Sequence, residues 1–298
     1  MTKNKETLGS TLVVAAGACW GFQNVFVKML SQYNLTPMQI GFIKMLVAAI
    51  VFSVILLIKD KTLFKIELKD IWMFIGTGLV SVSMYNLLGF STAIEGGVGI
   101  AEVLCYTSPV FITILSAILF REKITTRKII AIILTITGCV FVAGIIGNGY
   151  KFSAKVIVTG VLSGFFYGMY TIFGRYALKK YHPLTVTTWT FIIGCIGNAF
   201  LGNVPATAAT IAANPSAIVW CLCLGILSAS LPYMMYTLGL SMIEAGKAAV
   251  LSSSELVVGA FIGVVLFGEP MDALKILGVA LIIFAIVLLN IKPKPSTV

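Results

Sequence analysis

Two carboxylates stand where a carboxylate is costly. Glu255 lies about ten residues into an apolar run that begins near Ala245, and Glu102 lies nearer the start of a run that opens near Gly97. At the centre of a membrane-spanning helix an ionised side chain costs about 2.5–3.5 kcal/mol on insertion scales. A carboxylate kept there is a candidate for chemistry. Glu255 suits a cation ligand or a proton site, and Glu102 suits the same work or a gate. The plainer alternatives are a Glu255 bonded to the hydroxyls of Ser252, Ser253 or Ser254, and a Glu102 that reaches interfacial water. Lys44, a turn or two inside its own run, either snorkels to the nearer interface or pairs with Glu102 as a gate partner.

Uncharged polar residues extend the candidate site. Gln23, Asn24 and Asn86 fall inside apolar runs, where each amide needs partners. They serve either a ligand or helix-to-helix bonding. Trp20, Tyr85, Tyr106, Tyr167, Tyr170, Trp189, Tyr233 and Tyr236 form a large aromatic set. Interfacial anchoring is the ordinary use of Trp and Tyr. Trp20, Tyr85 and Tyr106 lie away from run ends, however, and can line a cavity for a partly apolar compound. Pro109 and Pro232 each remove a backbone bond inside a run and mark kinks or hinges. Glu95, Glu244 and Lys247 lie at run ends and read as solvated. Glu122 and Glu269 close two equivalent runs and suit bonding the free N-terminal amides of the helix that follows.

Other chemistries are poorly served. The single histidine, His182, precedes Pro183, so there is no HExxH zinc pair and no Ser–His pair within a run. No Walker loop is present, and no metal or cofactor is expected. The six cysteines all lie in apolar runs and read as packed thiols. The net charge of +10 sits in short loops rather than on one soluble face, which argues against a nucleic-acid partner.

The elements that must hold these residues are membrane helices. Hydrophobic residues make up 59% of the chain and charged residues 11%, against about 25% charged in a soluble domain. Runs long enough to span a bilayer repeat from end to end. They predict helices near 8–30, 37–58, 71–93, 97–120 and 127–146, then 155–178, 183–203, 216–240, 245–267 and 273–291. The first of these is too long for a cleaved signal core and reads as a retained helix. With the N-terminus in the cytoplasm, sixteen Lys and Arg fall on the inner side (Lys3, Lys5, Lys59, Lys61, Lys65, Lys69, Arg121, Lys123, Arg127, Lys128, Arg175, Lys179, Lys180, Lys247, Lys292, Lys294). Four fall outside, namely Lys28, Lys151, Lys155 and Lys275. The bias places both termini in the cytoplasm.

The chain also repeats itself at a spacing of 147 residues. Gly17, Gly21, Phe26 and Lys28 return as Gly164, Gly168, Phe173 and Arg175. Gly78, Ser81 and Ser83 return as Gly225, Ser228 and Ser230, and Phe120-Arg-Glu122 returns as Phe267-Gly-Glu269. Five helices per copy is an odd number, so the second copy (155–292) enters the membrane from the side opposite to the first (8–146). The expectation is an all-α, multi-pass membrane protein of ten transmembrane helices in two inverted five-helix repeats. Inverted repeats are the usual frame of secondary transporters with a midplane site. The copies differ where chemistry is expected: Glu102 against Ala249, Glu255 against Ser108, and Tyr85 against Pro232.

The pattern Ala93-Ile94, Ala101-Glu-Val-Leu104, Ser108-Pro109-Val110 and Phe120-Arg-Glu122 resembles an EamA-like domain of the drug/metabolite transporter superfamily. A second copy runs through Gly239-Leu240, Gly246-Lys-Ala-Ala-Val250, Glu255-Leu256, Phe267-Gly-Glu269 and Lys275-Ile-Leu-Gly278. Trp20-Gly21 and the basic Lys44 also fit, although Arg is common at the latter position. Leu256 stands where a Pro often follows Glu. The resemblance spans about residues 10–292. It implies a ten-helix carrier in the plasma membrane with a central cavity, moving amino acids, other small metabolites or toxic organic compounds, often outward. Such a carrier has a small-molecule substrate and membrane lipid as its partners, and a homodimer stays open. An uncoupled exchanger or facilitator of metabolites or drug-like cations is the alternative to a proton-coupled carrier.

Overall fold

Helix ends follow the local chemistry of the chain. The computed structural model describes residues 3–146 and 153–291. The basic residues Lys151, Lys292 and Lys294, the end of the second repeat at 292 and the Lys3 side chain lie outside what it describes. Thr36 caps the second helix: its hydroxyl accepts from Gln39 N, while Gln39 Oε1 accepts from Thr36 N at 2.8 Å. Pro37 follows in the first turn, where a missing N–H costs little. His182 caps the seventh helix by accepting from Leu184 N at 3.1 Å, again just before a Pro. The fourth and ninth helices end on left-handed residues, Arg121 and Gly268, which are repeat equivalents. Gly takes that backbone without strain, and Arg does not.

Among the described residues nine helices are long and apolar enough to cross a membrane. In order they are Asn4–Ser31, Pro37–Lys59, Leu68–Gly96, Val98–Phe120, Ala154–Ala177, Pro183–Leu201, Ala217–Leu240, Ala245–Phe267 and Ala273–Asn290. A further helix, Thr126–Val142, is the fifth in chain order and has 17 residues. At 1.5 Å per residue that is about 25 Å, short of a full hydrocarbon core of about 30 Å. The protein is an all-helical, multi-pass membrane protein. Helices are numbered first to tenth below, leaving out Val204–Ala213, a short helix where the sequence pattern suggests only a loop.

Several helices are interrupted, and most interruptions come in equivalent pairs. The third and eighth helices contain π-helical stretches, Gly76–Ser83 and Ile226–Ser230. The Ser83 hydroxyl donates to Gly78 O at 3.3 Å, and the Ser230 hydroxyl to Gly225 O at 2.8 Å. Each hydroxyl thus bonds the carbonyl five residues back, matching the π register. The fourth helix breaks at Tyr106–Thr107 and the ninth at Ser252–Ser253. The first helix breaks at Phe22, whereas its equivalent, the sixth, is continuous.

These breaks explain the repeated glycines. A Cβ on Gly17 would lie 2.5 Å from Ser252 O, and one on Gly164 would lie 2.8 Å from Cys105 O. The first helix therefore lies against the broken turn of the ninth, and the sixth against that of the fourth. Small residues permit such close backbone approach in membranes. The fifth and tenth helices pack along each other. Arg127 donates to Ile291 O at 2.9 Å, and Gly138 meets Gly278 backbone to backbone further along. Residue numbers rise on one helix as they fall on the other, so these two equivalent helices are antiparallel. The main core joins Val13 and Ala16 of the first helix to Met45, Ala48 and Phe52 of the second, Phe191 of the seventh and Ala248 of the ninth. Large apolar side chains such as Ile118, Phe261 and Phe284 stay on the surface, where lipid covers them.

Candidate functional site

The breaks surround a cavity of about 460 Å³. The turn at Phe22 puts Trp20, Gln23 and Asn24 on its wall from the first helix. The third helix supplies Tyr85 and Asn86 just after its π stretch. The fourth supplies Glu102 and Tyr106 at its break, and the ninth supplies Glu255 one turn past its own break. Lining residues continue to Ala93, Val98, Gly99, Val142, Glu269 and Lys275, which lie at helix ends gathered on one side of the bundle. The mouth therefore lies at that end.

Inside, the polar groups are joined across elements. The Tyr106 hydroxyl donates to Glu255 Oε2 at 3.1 Å. The Asn24 side chain faces Glu102 across the cavity wall. Asn86 Nδ2 donates to Asn198 Oδ1 at 3.3 Å, and Asn198 Nδ2 donates to the Ser83 hydroxyl at 2.9 Å. Lys44 Nζ donates to Gln23 Oε1 at 3.1 Å and lies within electrostatic reach of Glu255. Trp20 stacks edge-on with Tyr233 at 5.1 Å between centroids, and Tyr85 meets Tyr167 at 5.1 Å.

Eight of the sequence candidates thus share one cavity: Trp20, Gln23, Asn24, Tyr85, Asn86, Glu102, Tyr106 and Glu255. Lys44 does not pair with Glu102. Its amine is taken by Gln23, because the break at Phe22 turns that amide toward the second helix. The Glu255 carboxylate is not bonded to the neighbouring serine hydroxyls either. Ser252 and Ser253 donate to Ala249 O and Val250 O, and Ser254 donates to Val14 O. Those hydroxyls serve carbonyls around the broken turn. Pro109 and Pro232 sit in the first turn after a break and after a π stretch, rather than inside continuous helix.

The residues read as solvated are paired. Glu244 binds Lys128 at 2.7 Å, Lys247 binds Glu6 at 3.0 Å, and Glu95 binds Lys155. Glu122 does bond helix N-terminal amides, but of the ninth helix and not of the adjacent fifth: it accepts from Ala245 N at 2.8 Å and Gly246 N at 3.3 Å. Sequence reasoning named Tyr167 in the aromatic set without placing it in the cavity, and passed over Asn198. Tyr167 is the repeat equivalent of Trp20, so the duplication itself carried a signal for it. Asn198 lies in a run with no other mark. All six cysteines are free thiols, and no cluster suited to a metal ion occurs among the described residues.

Comparison with known proteins agrees with this architecture. An uncharacterized transporter of Archaeoglobus fulgidus is 27% identical over 267 residues, covering 90% of this chain and 93% of the relative. The uncharacterized transporter sll1319 of Synechocystis is 24% identical, covering 99% and 97%. The uncharacterized transporter YwfM of Bacillus subtilis is 22% identical, covering 97% and 96%. A solved crystal structure shares the fold, with a TM-score of 0.78 and 96% of each chain covered at 15% identity. The protein is a membrane transporter of the plasma membrane and not an enzyme. Since the EamA-like transporter family profile matches residues 7–144 and again 154–291, the chain belongs to that family.

Proposed function

We propose that the protein is a secondary carrier for a small organic metabolite bearing an amine, an amino acid or a related compound, and that it works by alternating access. The observation that carries this reading is the meeting of Glu102 and Glu255 in one aromatic-walled cavity of about 460 Å³. That volume is within the range of small-molecule sites, about 300–1,000 Å³. The carboxylates suit a cationic amine, the amides of Gln23, Asn24 and Asn86 suit a polar end, and Trp20, Tyr85, Tyr106 and Tyr167 suit an apolar body. Counting the short fifth helix as a span gives ten, with both termini cytoplasmic and the cavity mouth outside. Glu255 exchanges a proton for the substrate amine, and net movement is outward.

Transport into proteoliposomes tests the reading. Saturable uptake or counterflow of an amino acid or amine is expected, and Glu255→Gln abolishes its dependence on a pH gradient. Linear, unsaturated movement of every metabolite tried sinks the carrier reading. An uncoupled exchanger is the second reading, favoured by Lys44, whose charge within reach of Glu255 can balance the carboxylate without a proton. Counterflow with no pH gradient, unchanged in Glu255→Gln, selects it.

A further inference from the structure

The end opposite the cavity mouth is held shut by groups that the binding site does not use. Glu122 is their hub, with only 6% of its side chain exposed. Besides the amides of Ala245 and Gly246 it meets Lys128 at 3.5 Å and Arg175 at 3.6 Å. Arg175 also donates to Leu240 O at 2.7 Å and to Ile243 O. Lys128 makes its second contact with Glu244. The fourth, fifth, sixth, eighth and ninth helices are thereby tied together at one end.

Each member of this lock has an equivalent 147 residues away, at the open end. Glu269 stands for Glu122, Lys275 for Lys128 and Lys28 for Arg175. Val98 and Gly99 stand for Ala245 and Gly246, and Ala93 and Gly96 stand for the carbonyls of Leu240 and Ile243. At the open end these groups are splayed. Glu269 is 52% exposed and, among the described residues, its side chain pairs with Lys275 alone, at 3.2 Å. Lys28 lies over the Phe267 ring at 3.8 Å from its centroid and forms no ion pair among the described residues.

We infer that the open end carries a second, unformed copy of the lock, which closes when the cavity opens to the other side. In that state Glu269 accepts from Val98 N and Gly99 N, Lys28 moves from the Phe267 ring to the carbonyls of Ala93 and Gly96, and Lys275 keeps Glu269. At the same time Glu122 releases the ninth helix. The two locks are not equal, because the position equivalent to Glu244 is Gly97. The second lock lacks the Lys128–Glu244 pair, so the state seen here is favoured without substrate. This inference rests on the carrier reading above for its purpose, but its geometry stands on the repeat.

Paired labels read the exchange. Lys123 and Ser241 are exposed beside the formed lock, and their equivalents Pro270 and Ile94 are exposed beside the unformed one. Spin labels on Lys123→Cys with Ser241→Cys, and on Pro270→Cys with Ile94→Cys, report the two ends in a background freed of native cysteines. Glu122→Gln is expected to lengthen the inner distance and shorten the outer one. Glu269→Gln is expected to hold both as they are now, cutting transport more than tenfold. If the cysteine-free chain does not fold, hydrogen exchange of the native chain replaces the labels: Glu122→Gln must deprotect residues 243–248 and protect 96–101.

Unchanged distances or exchange in Glu122→Gln overturn the inference, as does wild-type transport by Glu269→Gln. Failure of the carrier reading looks different. There no metabolite is transported by the wild type, yet Glu122→Gln still exchanges the two ends.

Discussion

Tyr106 and Glu255 come from different repeats, and the phenol of one donates to the carboxylate of the other at 3.1 Å. Tyr106 lies in the break of its helix and Glu255 just past the break of its own, so the bond joins two breaks across the cavity. It is the one protein hydrogen bond to the Glu255 carboxylate seen among the described residues.

Tyr106→Phe removes that donor and leaves the ring. A hydrogen bond to a charged group is worth about 1.5–3 kcal/mol. Substrate binding is expected to weaken by about tenfold, since 1.4 kcal/mol is one decade, with little change in melting temperature. Calorimetric titration beside a thermal melt checks the split. An equal loss in both would make the bond structural.

Gly17→Val places side-chain atoms against Ser252 O, which lies 2.5 Å from the Cβ position. The partner is backbone at a helix break, so little can give. Overpacking of this kind costs about 1–3 kcal/mol. A lower melting temperature in detergent is expected, while Gly174→Ala, whose nearest neighbour is Leu240 at 3.7 Å, stays near wild type.

Asn198→Ala leaves Asn86 and Ser83 without their shared partner. Both are buried. An orphaned buried polar group costs about 1–3 kcal/mol. Loss of stability should accompany loosening of the π stretch at Gly76–Ser83, read as faster hydrogen exchange of that peptide. Unchanged exchange there would detach Asn198 from the break.

A clamp on the loop side is pH-dependent. Lys180 binds Glu67 and also Asp70, the latter at 2.6 Å, and Tyr181 donates to Asp70 at 2.6 Å. Bonds from Lys180 and then Lys69 hold Glu67 below its ordinary 4.5. Bonds to Asp70 and then Glu67 hold Lys180 above its ordinary 10.5. The Glu67 contribution is therefore complete above 4.5 and fades as pH falls below it. The Lys180 contribution is complete below 10.5 and fades above it. Protection of residues 61–70 against hydrogen exchange, taken relative to the intrinsic rate at each pH, should be greatest between those limits, and Lys180→Met should flatten the profile.

Much of this frame was legible in the residues. The 147-residue spacing of Gly17, Gly164, Gly78 and Gly225 marks four close approaches, three against a neighbouring backbone and the one at Gly225 against the Val47 side chain. Charge in an apolar run marked Glu102 and Glu255, since lipid makes such groups costly. What escaped was register. Whether Lys44 meets Glu102 or Gln23 depends on how the first helix turns at Phe22, and no local pattern fixes that turn. The same holds for Glu122. Its type and place suit an amide ligand, but the amides are 123 residues away, brought close by packing of one repeat against the other. Asn198 shows the limit most plainly, because a lone amide in a run looks the same whether its partners are near or not.

The antiparallel contact of the fifth and tenth helices has one more consequence. Exchanging the repeats turns Gly138 into Ala285 and Gly278 into Ala131, and both Ala131 and Ala285 are fully buried in one shared cluster. The contact is its own mirror under the exchange, so it is the same whichever side the cavity faces. A hinge pin has this property and a latch does not. Tying Ala131→Cys to Ala285→Cys should leave transport within about twofold, where a tie across either lock stops it. It is also the surface through which two separate copies of an ancestral half could have met before they were joined, and a chain cut between its halves should reassemble through it.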